Sequence, residues 1–287
     1  MSSNIVFKNV VYTYLEKSPF AYDALKGLNV EITRGKMTAL IGHTGSGKST
    51  MIQQINGLLI PSSGEVSFDD YVVSKEVKLK HTIKGLRKKA GIVFQFPEYQ
   101  LFEETVYKDI AFGPKNFGVS EDKIKNIVHQ VIKVVGLDES YLDKSPFELS
   151  GGQKRRVAIA GILAFEPDIL ILDEPIAGLD PKGSREVMEL FKKINDLGKT
   201  IIIVSHDMDY VLKYCDEVIL MKDGKMVTKD TPLNIFMNDE LVKAANVEVP
   251  NCLAFGKKLI EAGYKIDLEK VKDAKTLAVE IKNSKWM

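Results

Sequence analysis

Short apolar runs recur along the chain at Met37–Ile41, Ala90–Gln95, Ile169–Leu172 and Thr200–Val204, separated by stretches of helical periodicity. Each run is strand-sized, and none alternates apolar with polar as a half-solvated strand would. The pattern therefore predicts strands covered on both faces. Buried strands alternating with helices imply a mainly parallel sheet. The amino-terminal pattern differs. Ile5–Tyr14 alternates loosely, and Leu28–Ile32 repeats that character beyond the loop Glu16–Asp23, which predicts an antiparallel pair. Glu65–Phe68 follows the turn Pro61-Ser62-Ser63-Gly64 as a further strand. Val218–Met221 and Lys225–Val227 flank Asp223-Gly224 as a hairpin.

Helical spacing runs from Val106 to Gly136, with a break expected at Gly113-Pro114 and a new start at Ser120-Glu121-Asp122. Ser150 stands three residues before Gln153, the spacing of a capping box, so another helix starts there. Asp180-Pro181 opens a third, with Asp180 at the N-cap and proline at the first helical position, ending near Leu197-Gly198. Lys75–Lys89 is basic and polar, with Leu79, Ile83 and Leu86 on one helical face, and reads as a solvated surface. From Asn238 onward the chain turns Lys-rich and helical. Val249, Leu253, Gly256 and Ile260 share one face of a helix opened by Pro250 and closed by Gly263, a tail expected to lie outside the core of the parallel sheet.

Candidate chemistry gathers where the buried strands end. Gly42-His43-Thr44-Gly45-Ser46-Gly47-Lys48-Ser49 fits G-x-x-x-x-G-K-[ST], the phosphate-binding loop, and it sits between a strand and the start of a helix, as that motif requires. Glycines let successive backbone N–H groups turn inward around phosphate oxygens, and the helix N-terminus adds partial positive charge. Lys48 can then reach the β- and γ-phosphates of a nucleoside triphosphate, while Ser49 offers a hydroxyl to Mg²⁺. Asp173, at the end of Ile169–Leu172, is placed to hold that cation, and Glu174 beside it to polarise an attacking water. Gln95 and His206 close two more strands. Ligands of parallel sheets bind beyond the carboxyl ends of strands, so four such ends converge on one phosphate site. Tyr12 and Tyr14 share a face of their strand. Sheet packing accounts for such a pair, and stacking of one ring, preferably Tyr14, on a purine base accounts for it equally.

Composition narrows the class. Forty basic against thirty-nine acidic residues leave a net charge of +1, so a nucleic-acid partner held by bulk electrostatics is not expected. Hydrophobic residues at 45% and charged residues at 28% are those of a globular chain with a sizeable core. Cys215 and Cys252 have no ligand spacing, which favours a reduced compartment over a disulfide scaffold. No basic-apolar leader opens the chain, and runs such as Ile201–Val204 are far too short to span a bilayer, so the expectation is a chain that is cytosolic by itself.

Leu149-Ser150-Gly151-Gly152-Gln153 resembles the signature of ABC-type ATPases, and it precedes the Asp173-Glu174 strand as in that family. The resemblance covers roughly residues 4–235. It implies an α/β fold of the P-loop NTPase class and ABC-ATPase type: a mainly parallel sheet core, N-terminal antiparallel strands, a helical subdomain at about 97–165 and a small C-terminal helical tail. The ATP-binding domain would be 1–237, and 238–287 a helical extension that stabilises a dimer. Two ATP molecules would lie between head-to-tail subunits. Tyr14 would stack on adenine, and Thr44, Gly45, Ser46, Gly47, Lys48, Ser49 and Thr50, with Gly42 and His43, would hold the phosphates. Ser49, Gln95 and Asp173 would hold Mg²⁺. Glu174, His206 and Gln95 would be catalytic, while Ser150, Gly151, Gly152, Gln153 and Asp180 would act across the dimer. His81 and His129 have no such placement, nor has the imidazole of His43.

A narrower resemblance rests on Phe94-Gln95-Phe96-Pro97-Glu98-Tyr99-Gln100-Leu101-Phe102, Thr105-Val106, Ala111-Phe112-Gly113-Pro114 and Ala158-Ile159-Ala160-Gly161. These are similar to the ATPases of energy-coupling factor (ECF) importers of vitamins and metals, in particular to the second of their two paired ATPases. That similarity implies a partner ATPase (a distinct paralogue, or a second copy), a transmembrane coupling subunit and interchangeable substrate-binding membrane subunits, at the cytoplasmic face of the cell membrane. Ile176 departs from the pattern, which commonly has Thr or Ser. Another ABC importer is the alternative. Coiled-coil ABC ATPases of DNA repair are disfavoured, because only about a hundred residues without heptads separate loop and signature. A soluble ABC factor of ribosomes would normally carry two cassettes, and this chain carries one. Phe96–Phe102, stiffened by Pro97, is expected as an exposed loop whose Tyr99, Leu101 and Phe102 meet a membrane partner within an acidic rim of Glu98, Glu103 and Glu104, or else pack on the following helix.

Overall fold

The computed structural model describes residues 3–77 and 83–284. Strands β1 (Ile5–Tyr14), β2 (Tyr22–Ile32), β4 (Ser63–Phe68) and β5 (Tyr71–Val73) form an antiparallel sheet in the order β2-β1-β4-β5. β3 (Met37–Ile41), β6 (Ala90–Val93), β7 (Ile169–Asp173), β8 (Thr200–Val204), β9 (Glu217–Lys222) and β10 (Lys225–Asp230) form the main sheet in the order β10-β9-β3-β8-β7-β6. Only β10 runs antiparallel there, through the hairpin at Asp223-Gly224. Successive residues of the apolar runs face opposite layers. Leu170 and Leu172 enter the helical core, while Ile169 and Ile171 enter the core beneath the antiparallel sheet. A strand covered on both sides has no use for a polar alternation, which is why these runs are uniformly apolar.

Helix α1 (Lys48–Ile55) follows β3 directly, and α2 (Ile83–Lys89) precedes β6. The helical layer contains α3 (Val106–Asn116), α4 (Glu121–Val134), α5 (Gly151–Leu163), α6 (Pro181–Asp196) and α7 (Met208–Tyr214). α8 (Pro232–Met237) follows β10, and the tail adds α9 (Asp239–Ala245), α10 (Asn251–Glu261) and α11 (Ala274–Asn283). No helix among the described residues is long and apolar enough to cross a membrane.

Four expectations change. The break foreseen at Gly113-Pro114 falls later, since α3 runs through both residues. Pro114 lies in the last turn, where it forgoes one hydrogen bond, and Gly118, at φ 75°, makes the left-handed stop. β2 begins at Tyr22 rather than Leu28, its polar outward positions having masked the pattern. The basic run contributes α2 alone, with Leu86 buried; Leu79 and His81 lie outside the described residues. Among the described residues the tail has no core of its own. Cys252, Leu253, Ile266, Val271 and Leu277 join the same cluster as Met208 and Phe236, and Lys213 pairs with Asp273 at 3.0 Å, although Ile260 stays 38% exposed.

Candidate nucleotide site

The phosphate loop is fixed by close backbone approach. A Cβ on Gly42 would stand 2.1 Å from the Met221 carbonyl oxygen, and one on Gly47, at φ 100°, 2.7 Å from that of Ala24. Only glycine lets the loop lie between β9 and β2. Lys48, almost wholly buried, folds back and donates to the carbonyls of Gly42 (2.7 Å) and His43 (3.0 Å). Burial holds its ammonium below the usual lysine range, a shift that Glu174 and Asp173 oppose.

The loop opens on a cavity of about 590 Å³ at the carboxyl end of the main sheet. β3, β8, β7 and β6 are consecutive in that sheet, so the loop, His206, Asp173-Glu174 and Gln95 line up along one edge. Tyr14, Thr44, Gly45, Gly47, Lys48, Ser49, Thr50, Gln95, Asp173, Glu174 and His206 all line the cavity. Gly42 and the buried Ser46 belong to the loop but do not line the cavity. His43 supplies backbone only, because its imidazole turns away, with Nδ1 2.7 Å from the Thr44 carbonyl and Nε2 3.5 Å from Asp223. A larger depression of about 980 Å³ lies at the opposite end of the strands, near Arg34, Asp69, Lys89, Asp168 and Lys199. Arg34 pairs there with Asp69, and Lys89 and Lys199 with Asp168, whereas parallel sheets bind ligands at their carboxyl ends.

Ser49 Oγ stands 3.4 Å from Asp173 Oδ1 beside the loop. Two hard oxygen donors so placed, with Gln95 across the cavity, suit Mg²⁺ completed by phosphate oxygens and water. Burial raises the Asp173 carboxyl above the usual range, against its hydrogen bond from Ser49 and the charge of Lys48. Glu174 is pushed further, to about 7, by burial first and the Asp173 charge second. Its backbone is held at φ 50°, left-handed and rare for a side chain of this size. The Glu174 N–H donates to Val204 (3.0 Å) and its carbonyl accepts from Ala177 (3.1 Å). Such an outlier persists only where its surroundings enforce it, and here it sets the carboxylate over the cavity. Glu174 Oε1 is 3.2 Å from His206 Nε2, off the line of a hydrogen bond. Burial and Lys48 keep His206 below the usual histidine range.

Ser150 forms the capping box foreseen: its N–H donates to Gln153 Oε1 (2.9 Å), and its Oγ accepts from the Gln153 N–H (3.4 Å). Gln153 also donates to the Tyr141 hydroxyl at 2.9 Å. Asp180 caps α6 through the Gly183 N–H at 2.6 Å. None of Ser150, Gly151, Gly152, Gln153 or Asp180 lines the nucleotide cavity of its own chain; Ser150, Gly151 and Gly152 are exposed.

Three lining residues fall outside the expected set: Tyr22, Ala24 and Val204. Tyr22 pairs across the strands with Tyr14 and reaches toward the Gly45 carbonyl at 3.5 Å. Residues directly opposite in an antiparallel pair share a face, so recognising that β2 starts at Tyr22 would have found it. Tyr14 itself contacts the Thr50 hydroxyl at 3.1 Å and meets Tyr12 edge-on at 4.8 Å, so sheet packing and an exposed ring face coexist. Replacing Tyr14 or Tyr22 by Ala is expected to weaken ATP binding by about 1–3 kcal/mol for the ring that stacks on the base, with Phe restoring it. Titration with a fluorescent ATP analogue distinguishes the two rings.

A phosphate loop, an Asp-Glu pair and a histidine on adjacent parallel strand ends define a P-loop nucleoside triphosphatase. Comparison narrows it. The family described as "ABC transporter" matches residues 25–177. The energy-coupling factor transporter ATP-binding protein EcfA2 of Lactococcus lactis subsp. cremoris is 52% identical over 259 residues, 90% of each chain. That of Enterococcus faecalis is 49% identical over 265 residues, 92% of this chain and 91% of its own. Among solved structures, CbiO1 from Clostridium perfringens, described as part of the ABC transporter complex CbiONQ, superposes with a TM-score of 0.74 at 41% identity, covering 91% of this chain and all of its own. The cassette MJ0796, solved as a dimer with ADP and Pi, gives 0.70 at 32% identity over 79% of this chain and 98% of its own. The chain belongs to the ABC transporter ATP-binding family, and the two EcfA2 relatives are energy-coupling factor transporter ATP-binding proteins. It is an ATP hydrolase coupled to transport.

Proposed function

We propose that this chain is the second of two paired ATPases of an ECF importer, bound at the cytoplasmic face of the cell membrane to a transmembrane coupling subunit. Interchangeable membrane subunits would select the vitamin or metal ion. The observation that carries this reading is a continuous path from the nucleotide cavity to an exposed aromatic patch. Gln95 lines the cavity; immediately after it, a 3-10 turn at Pro97–Gln100 presents Tyr99 at 84% exposure, and Phe102 follows at 57%, edge-on to exposed Phe112 at 4.8 Å. Leu101 packs inward on the helical core, so the two readings of this segment divide between its residues. Asp109 braces the loop by accepting from the Glu103 N–H at 3.1 Å. Glu98 does not belong to the exposed rim expected of it, because Arg155 holds both its carboxylate oxygens.

Dimerisation is supported by Gly151 and Gly152 being exposed and absent from the lining of their own chain's cavity, since they would contact ATP held by a partner. That partner is a distinct paralogue or a second copy, and no nucleic acid is involved. Exposed Phe255 and Val279 on the tail helices suit a role for residues 238–287 in holding the pair together. Within each site, Lys48 would exchange its carbonyl partners for β- and γ-phosphate oxygens, Ser49 and Asp173 would hold Mg²⁺ with Gln95, and Glu174 would orient the attacking water while His206 contacts the γ-phosphate. The cation, when bound, neutralises charge developing on the phosphates.

The test is co-purification from solubilised membranes after co-expression with the candidate coupling subunit. The double variant Tyr99→Glu/Phe102→Glu should cut recovery of that subunit at least about tenfold, as loss of central aromatic anchors does, while basal ATPase stays within about threefold. Undiminished recovery would place the docking surface elsewhere. Mass spectrometry of the recovered partners separates an ECF complex from another ABC importer.

A further inference from the structure

Arg155 is the largest of the fully buried side chains, on the second turn of α5, the helix capped by Ser150. Its side chain is 2% exposed. Nε and Nη2 donate to the two oxygens of Glu98, each at 2.9 Å, a forked pair. Nη1 donates to the carbonyls of Pro175 (3.2 Å) and Ala177 (2.9 Å). Phe96 lies over the guanidinium at 5.9 Å, and its ring edge would be 3.2 Å from a Cβ on Gly178. One cation therefore ties three segments: the turn that follows Gln95, the helix behind Gly151 and Gly152, and the loop leading from Glu174 to Asp180.

We propose that Arg155 is a positioning residue that couples the exposed turn at Pro97–Phe102 to the backbone carrying Glu174 and Asp180. Glu98 lies in that turn, one residue before Tyr99, so a displacement of the turn moves the carboxylate. The planar fork cannot tilt about one bond while keeping the others. Movement at the turn therefore shifts Pro175 and Ala177. Glu174 feels the shift directly, since the Ala177 N–H donates to its carbonyl and the left-handed Glu174 backbone has few alternative conformations. The same guanidinium sits on the signature helix, so rotation of α5 during dimer closure reaches both loops. Arg155 touches neither the cavity nor any group expected to react, and acts only through these neighbours.

This coupling role rests on the reading of Pro97–Phe102 as the membrane-partner surface, and the test separates the two. The full complex is reconstituted in vesicles, with uptake and ATP hydrolysis measured together, for wild type, Arg155→Lys and Arg155→Met/Glu98→Leu. Lysine keeps a positive charge beside Glu98 but, as a point charge, cannot hold the fork and two carbonyls at once. The double variant removes both charges and leaves no orphan ion. Both variants should retain partner recovery and KM for ATP within about twofold. Both should lose about tenfold in uptake per ATP hydrolysed, inside the range of coupling between two sites. A ratio equal to wild type in Arg155→Lys overturns the inference, as does uptake falling only in proportion to hydrolysis. It is equally overturned if the double variant restores the ratio together with the melting temperature, because Arg155 would then be structural only. Failure of the wild-type chain to recover any membrane partner would instead overturn the docking reading.

Discussion

Replacing Glu174 by Gln is expected to leave ATP affinity within about threefold while lowering turnover on the order of 10²-fold or more, the scale of losing a positioned general base. The amide preserves shape and fits the same left-handed backbone, so little ground-state contact is lost; what disappears is the charge that polarises water. A second readout follows from burial. Burial and the Asp173 charge raise the Glu174 carboxyl from 4.5 to about 7. Between those values the folded chain keeps a proton that the unfolded chain has lost, so this residue's contribution to stability falls as pH rises through that window. The Gln variant should therefore melt higher than wild type at pH 8 without nucleotide, a stability gain at the expense of function. Steady-state ATPase within about threefold of wild type would remove Glu174 from the catalytic role.

Most of the architecture could be read from the chain because its strongest signals are local. The uniformly apolar strands needed no partner to be recognised, and the strand–loop–helix context of Gly42–Ser49 carries its own geometry. Capping residues did as well: Ser150-Gln153 and Asp180-Pro181 start helices where their spacing says they should. Elements whose identity depends on distant packing were harder. β5 is three residues long and exists through its pairing with β4, so no period could announce it. The break at Gly113-Pro114 was misplaced because proline near a helix end costs little, whereas Gly118 stops the helix outright. At the site, every residue on a strand end could be placed in order, but side-chain direction could not. His43 and Lys48 sit in one loop, yet the imidazole turns away toward Asp223 while Lys48 lines the cavity with its ammonium folded back on the Gly42 carbonyl. Glu98 shows the same limit, since an acidic residue in an exposed-looking segment gave no sign of an arginine from position 155 reaching it.

Substituting Ser150 by Arg is expected to lower hydrolysis in the assembled ATPase pair on the order of 10²-fold, the scale of losing preorganised anion donors. ATP binding to the isolated chain should stay near normal. The two halves of that expectation have separate causes. Ser150 spends its own N–H and hydroxyl on Gln153, so its direct contribution to an anion is small. What its helix end offers are the next amides, on exposed Gly151 and Gly152, together with the positive end of α5. An arginine at 150 removes the cap, costing about 1 kcal/mol of local stability, and places a long cation where a partner's γ-phosphate would approach. Ser150→Ala isolates the first effect, because it removes the cap without filling the space, and it should retain most of the activity. The nucleotide cavity of the same chain contains none of these residues, so its affinity has no reason to change. Isothermal titration of the single chain, set beside ATPase assays of the pair, gives both numbers. If ATP affinity of the isolated chain falls as far as hydrolysis does, Ser150 acts within its own subunit, and the shared site between two subunits is wrong.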